Sequence, residues 1–219
     1  MIRGVIFDLD GVMIHSEPLA FEAWQRLLAP LHARMDDNEY RSLIGVNQEE
    51  SLRQVIRRHR LVTSPGELDR SFWSHMLTLV EQAEVMPGLL GLLRDLRRRG
   101  LRLAIASNSL SDYVLKACVR NGLAEYFQCI VAADHVERGK PAPDVYLAAA
   151  RGLDLPAQAC LAVEDSPSGV RAAVSAGMTC VYIPNRDLVP VSLDGADVVY
   201  PSLQAWHADL DRLLPLEAG

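Results

Sequence analysis

The chain carries Val5-Ile6-Phe7-Asp8-Leu9-Asp10-Gly11-Val12 close to its amino terminus. A short apolar run that ends in two acids and a glycine is typical of a buried strand in a parallel sheet. Side chains alternate along a strand, so Asp8 and Asp10 are expected on one side and Leu9 on the other. Open α/β sheets bind ligands at the carboxyl ends of their strands. An isolated pair of this spacing more often marks an ordinary Asp-Gly turn, so its meaning depends on the other strand ends.

Past residue 86 the sequence alternates short apolar runs with helical stripes, which predicts a doubly wound parallel sheet of the α/β class. From about residue 15 to residue 84, in contrast, every segment has helical spacing and none is a convincing strand. We therefore expect an α/β core formed by residues 1–14 and 85–219. A small all-helical domain, residues 15–84, is inserted after the first strand.

Composition makes several classes of partner less favourable. The net charge of −6 over 219 residues argues against nucleic acid and anionic membrane surfaces as partners, because both require a basic face. No apolar run approaches the roughly 20 residues of a membrane span, and the amino terminus does not have the pattern of a signal peptide. None of the four cysteines lies in a CxxC motif. We expect a cytoplasmic monomer with reduced thiols, namely Cys118, Cys129, Cys160 and Cys180.

Polar residues follow three further predicted strands. Ser107-Asn108 ends the second strand, Lys140 lies in the loop after the third, and Glu164-Asp165 ends the fourth. Taken alone, these motifs indicate a turn, a surface lysine and an acidic helix start. Because they occur at successive strand ends, which share one edge of a parallel sheet, we expect them to meet the two acids of the first strand.

The residue types at this edge favour phosphoryl transfer. Four collected carboxylates repel one another unless a cation lies among them, and hard oxygen ligands indicate Mg²⁺. The neighbouring hydroxyl, amide and ammonium groups are suited to the oxygens of a phosphate. Positioning and charge neutralisation supply most of the rate in that chemistry.

These motifs resemble those of the haloacid dehalogenase-like hydrolases, in the branch with a small helical cap after the first strand. The matching stretches occur in the family's order and approximate spacing over nearly the whole chain: Asp8-Leu9-Asp10-Gly11-Val12, Ser107-Asn108, Lys140-Pro141 and Glu164-Asp165-Ser166. The resemblance implies a Rossmann-like core and a helical cap domain.

The resemblance also implies the role of each acid of the first strand. Asp8 would be the nucleophile that forms an aspartyl-phosphate, and it would also be a metal ligand. Asp10 would be the general acid and base, and it would bind the metal through its backbone carbonyl. A carboxylate suits the first role because it is charged at neutral pH without the help of a base.

The other motif residues would hold the phosphoryl group and the cation. Ser107, Asn108 and Lys140 would bind the phosphoryl group, and Lys140 would also offset charge on the nucleophile. Glu164 and Asp165 would complete the Mg²⁺ site, either directly or through water.

Two enzyme classes and one non-enzymatic class remain as alternatives. The relatives that the sequence resembles include sugar-phosphate phosphatases and β-phosphoglucomutase. The mutase has basic residues in a cap loop where this chain has Ile44 and Gln48, and a cap histidine where this chain has Ala20. These differences favour hydrolysis of a small phosphorylated metabolite, a sugar phosphate in particular. A binding protein without catalysis is disfavoured, because no acid or lysine of the site is missing.

Substrate specificity is expected to lie in the cap. The segments concerned are the start of its first helix and the loop near residue 45. For Trp24, packing inside the cap is favoured over contact with a sugar. The candidate specificity residues are Ser16, Glu17, Trp24, Gly45, Val46 and Gln48.

Overall fold

The structure, a computed structural model, describes residues 1–185 and 195–215. Its strands are β1 (Gly4–Phe7), β2 (Ile14–His15), β3 (Glu84–Val85), β4 (Arg102–Ala106), β5 (Cys129–Val131), β6 (Cys160–Glu164), β7 (Thr179–Tyr182) and β8 (Val198–Val199). Its α-helices are α1 (Glu17–Leu28), α2 (Asp37–Leu43), α3 (Gln48–His59), α4 (Pro65–Leu79), α5 (Leu89–Arg98), α6 (Ser111–Arg120), α7 (Asp144–Gly152), α8 (Pro167–Ser175), α9 (Leu203–Ala208) and α10 (Leu210–Leu213).

Six strands form a parallel sheet in the order β5-β4-β1-β6-β7-β8. The first strand of the chain lies inside this sheet, between β4 and β6, and all four of its residues are buried. Val5 pairs with Leu103 on one side and with Leu161 on the other. A strand surrounded in this way must be apolar along its whole length, as the sequence of β1 is. The predicted doubly wound α/β sheet is confirmed.

The alternation of side chains along β1 divides the core between the two faces of the sheet. Val5 and Phe7 belong to a cluster that includes residues of α5, α6 and α9, whereas Ile6 belongs to a cluster with α7 and α8. The strand is therefore fixed from both faces. Its carboxyl end, where Asp8 follows, has little freedom to move.

The stretch between β1 and α5 is mainly helical and contains α1, α2, α3 and α4. Helix α4 packs against α1 and α3. The predicted apolar stripes of this segment are buried, with Leu52 and Val55 on α3 and Phe72 and Met76 on α4. We call residues 15–84 the cap. The division into two domains at these residues stays a prediction.

One sequence-based expectation for the cap is wrong. The sequence shows no convincing strand in this segment, but His15 and Glu84 belong to two-residue strands that pair with each other, antiparallel. In the same ribbon Ile14 pairs with Val85. A strand of two residues is too short to show alternation in the sequence, so its pattern could not be recognised. The ribbon brings the two ends of the cap together.

No helix within the described ranges is long and apolar enough to cross a membrane. All four cysteines are free, as predicted, and Cys118, Cys160 and Cys180 are buried.

Candidate active site

The adjacent strands β4, β1 and β6 bring the predicted site residues to one edge of the sheet. Asp8 follows the last residue of β1, and its backbone N–H donates to the carbonyl of Val163 in β6 at 3.0 Å. Glu164 is the last residue of β6, and Ser107 directly follows β4. The parallel register therefore places these three side chains beside one another, because neighbouring strands end at the same level.

Lys140 enters this edge from the loop after β5 and is almost fully buried. Its Nζ atom lies 2.5 Å from Oδ1 of Asp8 and 2.6 Å from Oε1 of Glu164. Burial alone would lower the pKa of the Lys140 ammonium, but the two carboxylates raise it above its ordinary value. Lys140 is therefore a permanent positive charge next to the proposed nucleophile.

Asn108 fixes the loop that carries Lys140. The backbone N–H of Lys140 donates to Oδ1 of Asn108 at 2.8 Å, and Nδ2 of Asn108 donates to the carbonyl of Lys140 at 3.1 Å. A side chain at Gly139 would bring a Cβ atom within 2.7 Å of Oδ1 of Asn108, so this contact requires glycine. The phosphate-binding role predicted for Asn108 stays a prediction, and the structure adds this anchoring role.

Glu164 is fully buried and its two oxygens are occupied by protein donors. Oε1 accepts from Lys140 and, at 2.6 Å, from the hydroxyl of Tyr146. Oε2 accepts from the backbone N–H of Asp165 and from Ser166. A carboxylate satisfied in this way is rigid, and it is the second carboxylate that holds the ammonium of Lys140.

Asp8, Glu164 and Asp165 form a buried acidic cluster, which offers three carboxylate oxygens within 4.8 Å of one another. Burial raises the pKa of Asp165 well above its usual value, and the charges of Asp8 and Glu164 raise it further. Asn185 donates to Oδ2 of Asp165 at 3.2 Å. When all three carboxyl groups are ionised, the cluster carries more negative charge than Lys140 neutralises, and this arrangement is expected where a metal ion binds.

Burial raises the pKa of Asp8 to about 7, against the opposing effect of Lys140, and the nearby Glu164 raises it further. A nucleophilic carboxylate must be ionised. A further cation in the cluster would therefore serve the chemistry as well as the charge balance.

Asp10 is oriented differently from Asp8 and does not belong to the acidic cluster. Its Oδ2 accepts from the hydroxyl of Ser109 at 2.6 Å, and its Oδ1 accepts from the hydroxyl of Tyr113 at 3.0 Å. The side chain lines the cavity above Asp8. The two acids thus have separate surroundings: Asp8 contacts the ammonium of Lys140, and Asp10 accepts from two hydroxyl donors.

A cavity of about 270 Å³ lies over these residues, between the sheet edge and the cap. Of the predicted site residues, all but two line it: the fully buried Glu164 is not in the wall, and Trp24 lies elsewhere. Trp24 is buried against Phe72 with ring centroids 5.0 Å apart, so it packs inside the cap instead. The lining residues from the predicted set are Asp8, Asp10, Ser16, Glu17, Gly45, Val46, Gln48, Ser107, Asn108, Lys140 and Asp165.

Several residues that contact the site could not be recognised in the sequence. Ser109, Tyr113 and Tyr146 donate to its carboxylates. The two tyrosines lie in apolar helical stripes, where a tyrosine and a phenylalanine fit the pattern equally well. One signal was available, because a buried tyrosine hydroxyl requires a hydrogen-bond partner and the nearest polar groups are those at the strand ends.

The fold and site together define a hydrolase whose acids lie at the end of the central strand. The family model described as haloacid dehalogenase-like hydrolase matches residues 5–183. The chain belongs to this family. The resemblance inferred from the motifs is confirmed.

The chain is similar along its full length to the protein CbbY of Cereibacter sphaeroides, with 32% identity, covering 99% of this chain and 100% of the relative. A crystal structure of CbbY from Rhodobacter sphaeroides in complex with phosphate superposes with a TM-score of 0.85 at 29% identity, covering 94% and 96% of the two chains. A phosphorylated carbohydrates phosphatase of Thermotoga maritima is 30% identical over 83% of this chain and 84% of its own. The protein is a phosphoric monoester hydrolase.

We expect Gly169→Ala to destabilise the protein, because an added Cβ atom would lie 1.9 Å from Oε1 of the buried Glu164. The free energy of unfolding should fall by about 1–3 kcal/mol, as in other overpacked cores. Denaturant unfolding measures this. Gly66→Ala is the matched control, since the nearest atom to its Cβ is Nη1 of Arg70 at 3.8 Å and alanine is the better helix former. Equal stability of Gly169→Ala and the parent protein would contradict the close packing.

Proposed function

We propose that the protein is a Mg²⁺-dependent phosphatase of small phosphorylated metabolites, sugar phosphates in particular, and that it acts through an aspartyl-phosphate on Asp8. The observation that carries the proposal is the position of Asp8. Its carboxylate lies at the floor of a cavity, is held by Lys140, and is followed two residues later by an acid with separate surroundings.

The residues present fit a divalent cation. Three buried carboxylates face one ammonium. The pKa of Asp165 is raised first by burial and then by its acidic neighbours, and no cation among the described residues forms an ion pair with it. Asp8 and Asp165 would hold the ion, with the backbone carbonyl of Asp10. Glu164 would act from outside, because both of its oxygens already accept hydrogen bonds. When bound, Mg²⁺ neutralises charge on the phosphoryl oxygens.

The reaction would proceed in two steps. Oδ of Asp8 attacks phosphorus, the bond from phosphorus to the leaving oxygen breaks, and Asp10 gives that oxygen a proton. Water then attacks the aspartyl-phosphate and gives a proton to Asp10, which releases inorganic phosphate and restores Asp8. Ser107, Asn108 and Lys140 hold the phosphoryl oxygens throughout.

The cavity supports water as the acceptor over a second sugar-phosphate oxygen. Among the described residues that line it, Lys140 is the one cation, and it already contacts Asp8 and Glu164. Ile44 is apolar, and Gln48 donates to Oδ1 of Asp69 at 3.2 Å. A mutase must hold a second phosphate while the intermediate turns around, and the described lining residues offer no further cation to neutralise it.

The proposal also covers the substrate's leaving group, the cellular location and the oligomeric state. The cap presents apolar side chains together with the amides of Asn47 and Gln48, which suits a small leaving group with hydroxyls. Ser16, Glu17, Gly45 and Val46 would set its specificity. The free thiols support a cytoplasmic location, and we propose a monomer that binds no nucleic acid.

Asp8→Asn should lower phosphate release from p-nitrophenyl phosphate with Mg²⁺ by more than about 10³-fold, because the group that forms the covalent bond has no substitute. Asp95→Asn is the matched control: its carboxylate accepts from His207 outside the cavity, and it should keep the parent rate. Full activity of Asp8→Asn would overturn the mechanism.

Mg²⁺ should stabilise the protein more at pH 8 than at pH 5. The native pKa of Asp8 is raised from 3.8 to about 7 and that of Asp165 is also raised, each mainly by burial. The native state therefore binds protons more tightly than the unfolded state. Without metal, the free energy of unfolding falls as the pH rises from about 4 to about 7, between the unfolded and the native pKa of Asp8. Mg²⁺ that binds in place of those protons should raise the free energy of unfolding by about 2.7 kcal/mol when its free concentration is 100 times its dissociation constant.

Thermal unfolding with Mg²⁺ or with EDTA at both pH values measures this effect. Asp165→Asn should remove most of the Mg²⁺ increment at pH 8 and should itself stabilise the metal-free protein, because it deletes an uncompensated buried charge. Identical melting temperatures with Mg²⁺ and EDTA at pH 8 would count against the metal site.

Hydrolysis should exceed isomerisation. With β-glucose 1-phosphate as substrate, we expect no glucose 6-phosphate in a coupled assay, with or without a glucose bisphosphate primer, because the described cavity has no free cation for a second phosphate. Phosphate release is followed in parallel, over a panel of sugar phosphates. Primer-dependent isomerisation that outpaces phosphate release would establish a mutase instead.

A further inference from the structure

The carboxylate of Asp10 has one side-chain donor on each of its oxygens. Ser109 Oγ donates to Oδ2 at 2.6 Å, and the Tyr113 hydroxyl donates to Oδ1 at 3.0 Å. Two donors on different oxygens fix the plane of a carboxylate as well as its position. A carboxylate has about four lone-pair positions, so two donors do not saturate it, and Asp10 also lines the cavity.

The two donors are themselves held in place. The ring of Tyr113 is completely buried and packs edge-to-face on Trp73 of α4, with centroids 5.6 Å apart. Ser109 is buried too, and its backbone N–H donates to Oγ of Ser107 at 3.0 Å. Burial, with Asp10 nearby, raises the pKa of the Tyr113 phenol well above its usual value, so the hydroxyl stays a donor.

The hydroxyl of Tyr113 has no part in the packing of the ring. Tyr113 belongs to an apolar cluster with Val114, Ala117 and Cys118 of the same helix, in which phenylalanine would fill the same space. What the oxygen adds is its hydrogen bond to Oδ1 of Asp10. A buried hydroxyl directed at a carboxylate in the cavity wall indicates a role in the reaction.

We infer that Tyr113 and Ser109 are positioning residues for Asp10, and that they aim its carboxyl group at the oxygen that leaves with the alcohol. The inference rests on the proposed function, which makes Asp10 the general acid and base. When phosphorus separates from that oxygen, the proton on the Asp10 carboxyl passes to it. Without one donor the carboxyl group rotates more freely, and fewer encounters have the geometry for this transfer.

The reaction distinguishes positioning from mere structural support through its leaving group. A sugar alkoxide needs a proton as it leaves, whereas p-nitrophenolate leaves without one. The ratio kcat/KM reports on events up to the first irreversible step, cleavage of the ester. Misplacing Asp10 therefore lowers kcat/KM for a sugar phosphate and not for p-nitrophenyl phosphate, while damage to Asp8 or to the fold lowers both.

The test compares Tyr113→Phe and Ser109→Ala with the parent protein on both substrates, with Mg²⁺ present. For the best sugar phosphate of the panel, kcat/KM should fall about 10-fold or more, a part of the roughly 10²–10⁴-fold typical of general acid–base catalysis. For p-nitrophenyl phosphate it should stay within about twofold, because that step needs no proton donor.

Two other tyrosines serve as controls. Tyr200→Phe removes a hydroxyl that donates to Asp209 at 2.7 Å outside the cavity. It should leave kcat/KM unchanged for both substrates. Tyr146→Phe removes the hydroxyl that donates to Glu164, beside Lys140 and the acidic cluster. It should lower kcat/KM for both substrates by the same factor. Thermal unfolding of every variant identifies any loss of folded protein, and Ser109→Ala keeps the test open if Tyr113→Phe is unstable.

The possible outcomes are distinct. A selective loss on the sugar phosphate supports the positioning role. Unchanged kinetics, or an equal loss on both substrates, in a folded Tyr113→Phe or Ser109→Ala protein overturns the inference and leaves the proposed function intact. If the parent protein hydrolyses neither substrate with Mg²⁺, the proposed function fails, and the inference fails with it.

Discussion

The buried contact of Lys140 with Asp8 and Glu164 is the interaction on which the site depends. Each of these charges loses its water shell, at a cost of several kcal/mol per ion, and only close and well-directed partners offset that loss. Such precision must come from rigid surroundings. The sheet places the two acids at the ends of the neighbouring strands β1 and β6. The two hydrogen bonds between the Asn108 side chain and the backbone of Lys140 fix the position of the lysine.

Burial of this contact explains the composition of the strands around it. A parallel strand with helices on both faces cannot carry polar residues along its length, so the polar groups of β1, β4 and β6 occur where those strands end. The same sequence feature thus gives both the stability of the core and the concentration of chemistry at one edge. Val163 belongs to the apolar core, and Asp165, only two residues later, belongs to the acidic cluster.

The sequence predicted structure well where a residue pattern is compatible with a single structural interpretation. An apolar run ended by acids predicts a strand and a site together, so the order of the residues alone places Asp8, Glu164 and Asp165 near one another. It was uninformative where two residue types fit one pattern. Tyr113 and Tyr146 occupy apolar positions, and their hydroxyl partners depend on how α6 and α7 pack against the sheet. Trp24 could be read as ligand contact or core, and only its packing on Phe72 separates the two.

The ribbon formed by β2 and β3 gives the inserted helices a common point of attachment. Because His15 and Glu84 are paired partners, the chain leaves the core and returns to it at nearly the same place. Pairing within the ribbon holds the two ends of this long excursion together, and β1 keeps its pairing with β4 and β6. We expect substitutions at the cap residues that line the cavity to change its wall while the central strand keeps its register. In evolutionary terms, we expect the residues of the cap that line the cavity and the acids of the sheet edge to vary independently of each other.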